Sequence, residues 1–147
     1  MITNEEKRET YAALKVKLKR ALANSFWFEA CMLEYAIIED RTSSILAHCN
    51  ICDNPYAENK KLLNKLRSIL LQIGKGHPII SKATDSALIE AIIRWRETRN
   101  DIVHRACIRQ YDETEMEMVA KQGEELAKKI DNASKKVANR VLRLKNK

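Results

Sequence analysis

The sequence predicts an all-α protein, an up-and-down bundle of four to five helices with long helices at its N and C termini. Three glycines and two prolines among 147 residues are too few for the tight turns of an all-β fold. The composition is 45% hydrophobic and 32% charged, and apolar residues recur at steps of three and four, which is typical of amphipathic helices. We expect a single domain over residues 1–147.

The N-terminal third predicts one long helix or two nearly continuous ones. Thr3 and Glu6 have the spacing of a capping box, which places a helix start directly after Thr3. Apolar positions then continue to about His48, and Asn24-Ser25 predicts a bend or break between them. The second half also carries charged residues close to its apolar face, which an ordinary exposed charge ladder would explain. These residues are Glu34, Glu39, Asp40 and Arg41.

The middle of the chain contains the clearest turn residues. Asp53-Asn54-Pro55 predicts a stop and a restart, with the proline in the first turn of the next helix. Gly74 predicts the end of that helix in a left-handed conformation, and Lys75–Pro78 predicts a connecting loop. Because this loop lacks the Gly-Lys-Ser/Thr core of a P-loop, we interpret it as a connector. Thr84 or Asp85 is expected to cap the following helix.

Two further helices complete the predicted bundle. The apolar face of the first is formed by Leu88, Ile92, Trp95 and Ile102 or Val103. Arg99 falls in register with this face. Asp112 and Glu115 then predict the start of a final helix of roughly eight to ten turns. Its apolar face is formed by Met116, Val119, Gly123, Leu126, Ile130, Ala133, Val137 and Leu144, with Arg140 in register.

The C-terminal part of the chain carries a net charge equal to the formal charge of the whole chain, which is +7. Residues 128–147 contain eight basic residues and one acidic residue, Asp131. This surplus is either a solvated helix face or a surface that binds RNA. The candidate RNA-binding residues are Lys128, Lys129, Lys135, Lys136, Arg140 and Arg143.

The sequence also predicts where the protein works. No apolar run approaches the roughly 20 residues needed to span a bilayer, so we expect no membrane association. The first residues are too polar and acidic for a secretory signal, which predicts a cytoplasmic protein with reduced thiols. Cys49 and Cys52 have the spacing of a zinc or redox pair, with His48 beside them. Simple helix-end cysteines are the alternative interpretation, and we predict no metal and no cofactor.

Arg99-Asn100-Asp101-Ile102-Val103-His104 is the candidate catalytic segment. An imidazole can take the proton from a ribose 2′-hydroxyl, and an imidazolium can protonate the leaving 5′-oxygen. A guanidinium can bind the non-bridging phosphate oxygens and stabilise the charge of the transition state. Asn100 can orient either the phosphate or the imidazole. No metal is needed for this route.

Arg99 and His104 lie five residues apart, which is about 140° around an ideal helix. Their side chains therefore cannot point the same way unless the helix ends or distorts between them, or a second subunit completes the site. The offset predicts a homodimer, because two-fold symmetry would bring two copies of the motif together.

These residues resemble the HEPN superfamily, the higher eukaryotes and prokaryotes nucleotide-binding domain. The resemblance lies in the Arg-x-x-x-x-His spacing, the asparagine directly after the arginine and the helix that follows in an all-helical chain. It implies a metal-independent endoribonuclease with a toxin or phage-defence role, in which Arg99 and His104 are catalytic and Asn100 assists. It further implies a homodimer with a shared cleft and, for a toxin, a partner antitoxin. One toxin branch carries a tyrosine two residues after the histidine, where this chain has Ala106.

Three alternatives remain open at the level of sequence. Arg99 can instead pair with Glu34, Asp40 or another acid of the bundle, while His104 interacts with the C-terminal carbonyl groups of its own helix. The domain can be a catalytically silent HEPN-like module that binds RNA or protein. It can also be an unrelated helical interaction protein.

Overall fold

The computed structural model describes residues 3–52, 54–57, 60–108 and 112–146. All regular secondary structure within these residues is helical, which confirms the all-α class. The helices found in these ranges are α1 Asn4–Ala23, α2 Trp27–His48, α3 Leu62–Gly74, α4 Ile80–Ala83, α5 Ser86–Cys107 and α6 Glu113–Lys145.

The first two helices follow the predicted pattern. The capping box is formed, because the Thr3 N–H donates to Oε2 of Glu6 at 2.8 Å and the Glu6 N–H donates to Oγ1 of Thr3 at 3.1 Å. Helix α1 ends at Ala23, and Ser25 adopts a left-handed conformation with φ of 61°. Helix α2 resumes at Trp27. The predicted break therefore separates two nearly continuous helices.

The predicted restart at Asn54-Pro55 is wrong, because α3 begins at Leu62. Asn54 accepts a turn hydrogen bond from the Ala57 N–H at 3.2 Å. The Pro55 carbonyl accepts one from Oγ of Ser43 at 3.2 Å. A proline fits the first turn of a helix and a turn equally well, so its presence did not distinguish the two. Asp53 lies outside the described residues.

Two further differences follow α3. Gly76, with φ of 71°, adopts the left-handed conformation that was predicted for Gly74. The predicted loop then leads into the one-turn helix α4, which was not predicted. Nδ1 of His77 accepts hydrogen bonds from the N–H groups of Ile79 and Ile80, each at 3.2 Å. A single turn held by one histidine contains too few residues to show a helical period.

The starts of α5 and α6 are confirmed. The Leu88 N–H donates to Oδ1 of Asp85 at 2.8 Å, and the Glu115 N–H donates to Oδ1 of Asp112 at 3.2 Å. The apolar face of α6 is buried as far as Val137. Leu144, which was predicted to extend this face, is 53% exposed. The 109–111 segment between the two helices lies outside the described residues.

The chain divides into two compact units, and the division falls within α2, α5 and α6. The first unit contains the residues up to Ile37 and Trp95–Glu125. Its core includes Trp95, whose Nε1 donates to the Val119 carbonyl at 2.9 Å.

The second unit contains Ile38–Arg94 and Leu126–Lys147, the last residue of which lies outside the described residues. Its core includes the buried amine of Lys65, which donates to Oγ of Ser43 at 2.9 Å. Burial lowers the pKa of this amine, and the charges of Glu39, Cys52 and Asp40 oppose that shift.

Candidate functional site

The predicted catalytic residues lie in the C-terminal half of α5, in the first unit, and differ sharply in exposure. Arg99 is buried, with 9% of its surface exposed. Asn100 is half-buried and His104 is exposed. The helix continues without interruption to Cys107, so Arg99 and His104 project about 140° apart. A single chain therefore does not bring the two side chains together.

Side chains of α2 support the Arg99 guanidinium on two sides. Its Nη2 lies 2.8 Å from Sδ of Met32, and its Cζ lies 4.3 Å from the centre of the Tyr35 ring. Its Nη1 donates to Oδ1 of Asn100 at 2.9 Å. An aromatic face and a neighbouring amide hold a guanidinium in place without neutralising it.

No carboxylate forms an ion pair with Arg99 within the described part of the chain, so the predicted alternative of a structural ion pair was not found. Asp40 pairs with its neighbour Arg41. Both carboxyl oxygens of Glu34 are buried and have no hydrogen-bond partner among the described residues, and Nε of Arg99 is likewise buried without one. A cation that is buried without a counterion is uncommon and favours a role in binding an anion.

The environment of Glu34 explains why it does not act as a counterion. Burial, followed by the charge of Glu124, raises the pKa of the Glu34 carboxyl from 4.5 to about 9. The carboxyl is therefore protonated and neutral near pH 7. The alternative interpretation of these charges as an exposed ladder does not hold for Glu34, because its side chain is fully buried.

Burial also governs the neighbouring titratable groups. The pKa of the Cys31 thiol is raised to about 12 by burial and by the charge of Glu34, so Cys31 remains a neutral thiol. Its Sγ donates to Sδ of Met116 at 3.6 Å. Burial lowers the pKa of the Arg99 guanidinium, and Tyr35 and Cys31 oppose that shift. An anion bound at Arg99 would replace the solvation that burial removes.

His104 occupies the exposed side of α5 and forms no hydrogen bond or ion pair with any described residue. The residue after it, Arg105, contacts acidic residues of both α5 and α6. Its Nε lies 3.3 Å from Oδ2 of Asp101, and its Nη2 lies 2.7 Å from Oε2 of Glu115. Arg105 therefore ties the end of α5 to the start of α6 next to the histidine.

The six candidate RNA-binding residues of α6 are all exposed, but their surroundings differ. Lys135 forms an ion pair with Asp131 at 3.2 Å. Lys136, Arg140 and Arg143 line a groove of about 240 Å³ in the second unit. Lys129 and Lys136 line a second groove beside the start of α5. The groove that Lys136 shares with the two arginines is the more basic of the two.

Sequence reasoning missed Met32 and Tyr35 as the support of Arg99. The contact between Met32 and Arg99 joins residues that are 67 positions apart in the chain. No local spacing predicts such a contact. Register with an apolar face did predict the burial of Arg99.

Two further expectations from the sequence concern a metal site at Cys49 and Cys52 and a membrane-spanning segment. Cys49 and Cys52 are free cysteines, and no group of three or more His, Cys, Asp and Glu side chains is arranged to hold a metal ion in the ranges that the structure describes. Across the same ranges, no helix has both the length and the apolar character that a bilayer crossing requires.

Comparison with known proteins identifies no relative of this chain. No protein-family model, curated protein or solved structure matches the chain.

Proposed function

We propose that the chain is a metal-independent endoribonuclease of the HEPN type, with a toxin or phage-defence role and with His104, Arg99 and Asn100 as its catalytic residues. The observation that carries the proposal is the buried Arg99 guanidinium, which α2 supports and no described carboxylate neutralises. It lies on the same helix as an exposed imidazole. The phosphodiester group of RNA is an anion that such an arginine can bind.

The proposed reaction transfers the phosphoryl group from one ribose oxygen to another. The 2′-oxygen forms a bond to the adjacent phosphorus as the bond from phosphorus to the 5′-oxygen breaks. The imidazole of His104 takes the 2′-hydroxyl proton, and the imidazolium that this forms gives the proton to the leaving 5′-oxygen. The products are a 2′,3′-cyclic phosphate and a free 5′-hydroxyl.

Arg99 and Asn100 act on the phosphate rather than on the proton. The guanidinium binds the non-bridging oxygens and stabilises the negative charge that develops on them. Asn100 accepts a hydrogen bond from Nη1 of Arg99, which orients the guanidinium, and its amide N–H₂ group is left to donate to the phosphate. The burial of Arg99 strengthens this interaction because the local dielectric constant is low.

A homodimer is part of the proposal because a continuous α5 directs Arg99 and His104 apart. Arg99 of one copy and His104 of the other would then act on the same phosphate across the two-fold axis. A toxin role implies in addition an antitoxin protein that neutralises the dimer in the cell.

A catalytically silent RNA-binding module is the second candidate function. The observation that favours it is the absence of any hydrogen bond from His104 to a described residue, since a catalytic imidazole is usually oriented by a partner. RNA would then be held by basic residues such as those of α6 and would not be cleaved. The nuclease requires His104 for cleavage, whereas RNA binding by the silent module does not require it.

Incubation of the pure protein with end-labelled total RNA in excess EDTA tests the proposal. We expect discrete fragments that end in 2′,3′-cyclic phosphate from the wild type, and a loss of about 10²- to 10⁴-fold in cleavage rate for His104→Ala. His48→Ala removes an exposed histidine at the end of α2 and should cleave normally. Equal cleavage by His104→Ala, or loss of cleavage in EDTA, would overturn the assignment. RNA binding without cleavage would establish the silent module.

A further inference from the structure

A basic groove in the second unit lies between the short helix α4 and the C-terminal part of α6. Its volume is about 240 Å³. Four of its seven lining residues are cationic, and none is acidic or aromatic. The lining residues are Ile79, Lys82, Ala83, Lys136, Asn139, Arg140 and Arg143.

Three of the cations lie along one face of α6. Lys136, Arg140 and Arg143 are separated by steps of four and three, so they follow one side of the helix over about 10 Å. Lys82 is added from α4, more than 50 positions earlier in the sequence. The fold therefore brings a fourth cation to this row, which the sequence pattern of α6 does not reveal.

These four cations form no ion pair with any described carboxylate, whereas Lys135 on the same helix is paired with Asp131. Like charges that share a concave surface repel one another and raise its positive potential. Binding an anion relieves this repulsion. The groove thus differs from an ordinary solvated helix face, on which acids alternate with bases.

The shape and chemistry of the groove favour a chain of phosphates over a single one. A row of about 10 Å can contact several successive phosphates, and each arginine fork can bind two non-bridging oxygens of one of them. Ile79 and Ala83 are the only two of the seven lining residues whose side chains carry no charged or amide group. The lining offers no aromatic ring on which bases could stack and contacts RNA through cations, so binding here should depend little on base sequence.

We propose that the groove of Lys82, Lys136, Arg140 and Arg143 binds the phosphate backbone of single-stranded RNA. The choice of RNA rests on the proposed function, whereas the preference for a polyphosphate chain rests on the groove itself. The groove supplies affinity that is independent of His104. It therefore accounts for substrate capture rather than for cleavage.

The test measures binding of a fluorescein-labelled 20-nucleotide oligouridine by anisotropy at 50–300 mM KCl. All proteins carry His104→Ala, so that the RNA stays intact. The groove variant combines Lys82→Gln, Arg140→Gln and Arg143→Gln. The control variant combines Arg8→Gln, Lys17→Gln and Lys19→Gln, which remove the same charge from exposed positions of α1. Circular dichroism establishes that both variants remain folded.

We expect the groove variant to bind at least about tenfold more weakly at low salt. The slope of log K against log salt should be shallower by about 2, since each phosphate contact on a single strand contributes about 0.7. The control variant should change affinity by less than about threefold. An unchanged affinity and slope in the folded groove variant would overturn the proposal.

Two competitors separate RNA from other polyanions. Polyglutamate of equal length that displaces the RNA at equal charge concentration would overturn the assignment to a phosphate backbone. Oligothymidine that binds tenfold more tightly than oligouridine would overturn the assignment to RNA. If the protein binds RNA through the groove but does not cleave it, the proposed nuclease activity is refuted and this inference stands. If the protein cleaves RNA but the groove variant binds RNA as tightly as its parent, this inference is refuted and the nuclease proposal stands.

Discussion

Glu34 and Arg99 are buried in the same unit, and neither neutralises the other. The Glu34 carboxyl is protonated because its pKa is raised to about 9, while Arg99 retains its charge between Met32 and Tyr35. A neutral Glu34 costs less to bury than a carboxylate. It also leaves Arg99 free to bind an anion from outside the chain.

The raised pKa of Glu34 predicts how stability depends on pH. Between 4.5 and about 9 the native carboxyl holds a proton that the unfolded carboxyl loses, so the free energy of unfolding falls as pH rises through this window. In Glu34→Gln, which cannot ionise, this contribution disappears. The free energy of unfolding of the variant, relative to that of wild type, should therefore rise by on the order of a few kcal/mol from pH 5 to pH 9. Urea denaturation of the reduced protein at each pH measures it.

Glu29→Gln is the matched control, since Glu29 is an exposed carboxyl on the same helix. Its stability should follow that of the wild type across the range. A constant difference between Glu34→Gln and wild type from pH 5 to pH 9 would contradict the burial of a neutral carboxyl.

Glycine at position 123 lets α6 approach these residues closely. A β-carbon there would overlap the Glu34 carboxyl and lie 2.7 Å from Cζ2 of Trp95. The Trp95 ring is fixed by its hydrogen bond to the Val119 carbonyl, so it has little freedom to move away. The packing of three helices thus depends on a missing side chain.

Gly123→Ala should lower the free energy of unfolding by about 1–3 kcal/mol, because the added methyl group overfills a packed core. The control is Gly74→Ala at the end of α3, where a β-carbon would meet nothing within 4 Å. That change should stay within about 1 kcal/mol of wild type. Chemical denaturation compares the two, and equal stability of Gly123→Ala and wild type would show that α6 does not lie this close.

The bounds of helices were predictable from sequence where a side chain caps the helix. Thr3, Asp85 and Asp112 each accept a backbone hydrogen bond at a helix start, and each start was predicted. The start of α3 was not, because its N-cap, Lys61, makes no side-chain capping bond. Helix α4 was missed because its four residues contain no period.

The candidate site was predictable only along its own helix. Arg99 has the same helical spacing as the apolar residues of α5, which predicted its burial. The Arg-x-x-x-x-His motif identified His104, five residues later on the same helix. The partners on α2 and the contribution of Lys82 to the basic groove depend on contacts between segments far apart in sequence. Such contacts follow from tertiary packing, which local propensity does not encode.

At the scale of the whole molecule, residues 128–147 carry a net charge equal to the formal charge of the chain, +7, and the groove organises part of it. A positive surface raises the rate of encounter with RNA, whereas chemistry requires a correctly placed imidazole. The proposed ribonuclease therefore combines capture by the groove with cleavage by a site that two copies complete.

Mixing two inactive variants tests this central claim most directly. Arg99→Ala and His104→Ala are each expected to cleave RNA poorly in EDTA. After subunit exchange, the mixed dimer carries Arg99 on one copy and His104 on the other, so one of its two composite sites is intact. The mixture should regain roughly a quarter of wild-type activity, since about half of the dimers are mixed. No recovery from a mixture shown by sedimentation to contain mixed dimers would contradict a site shared between two copies.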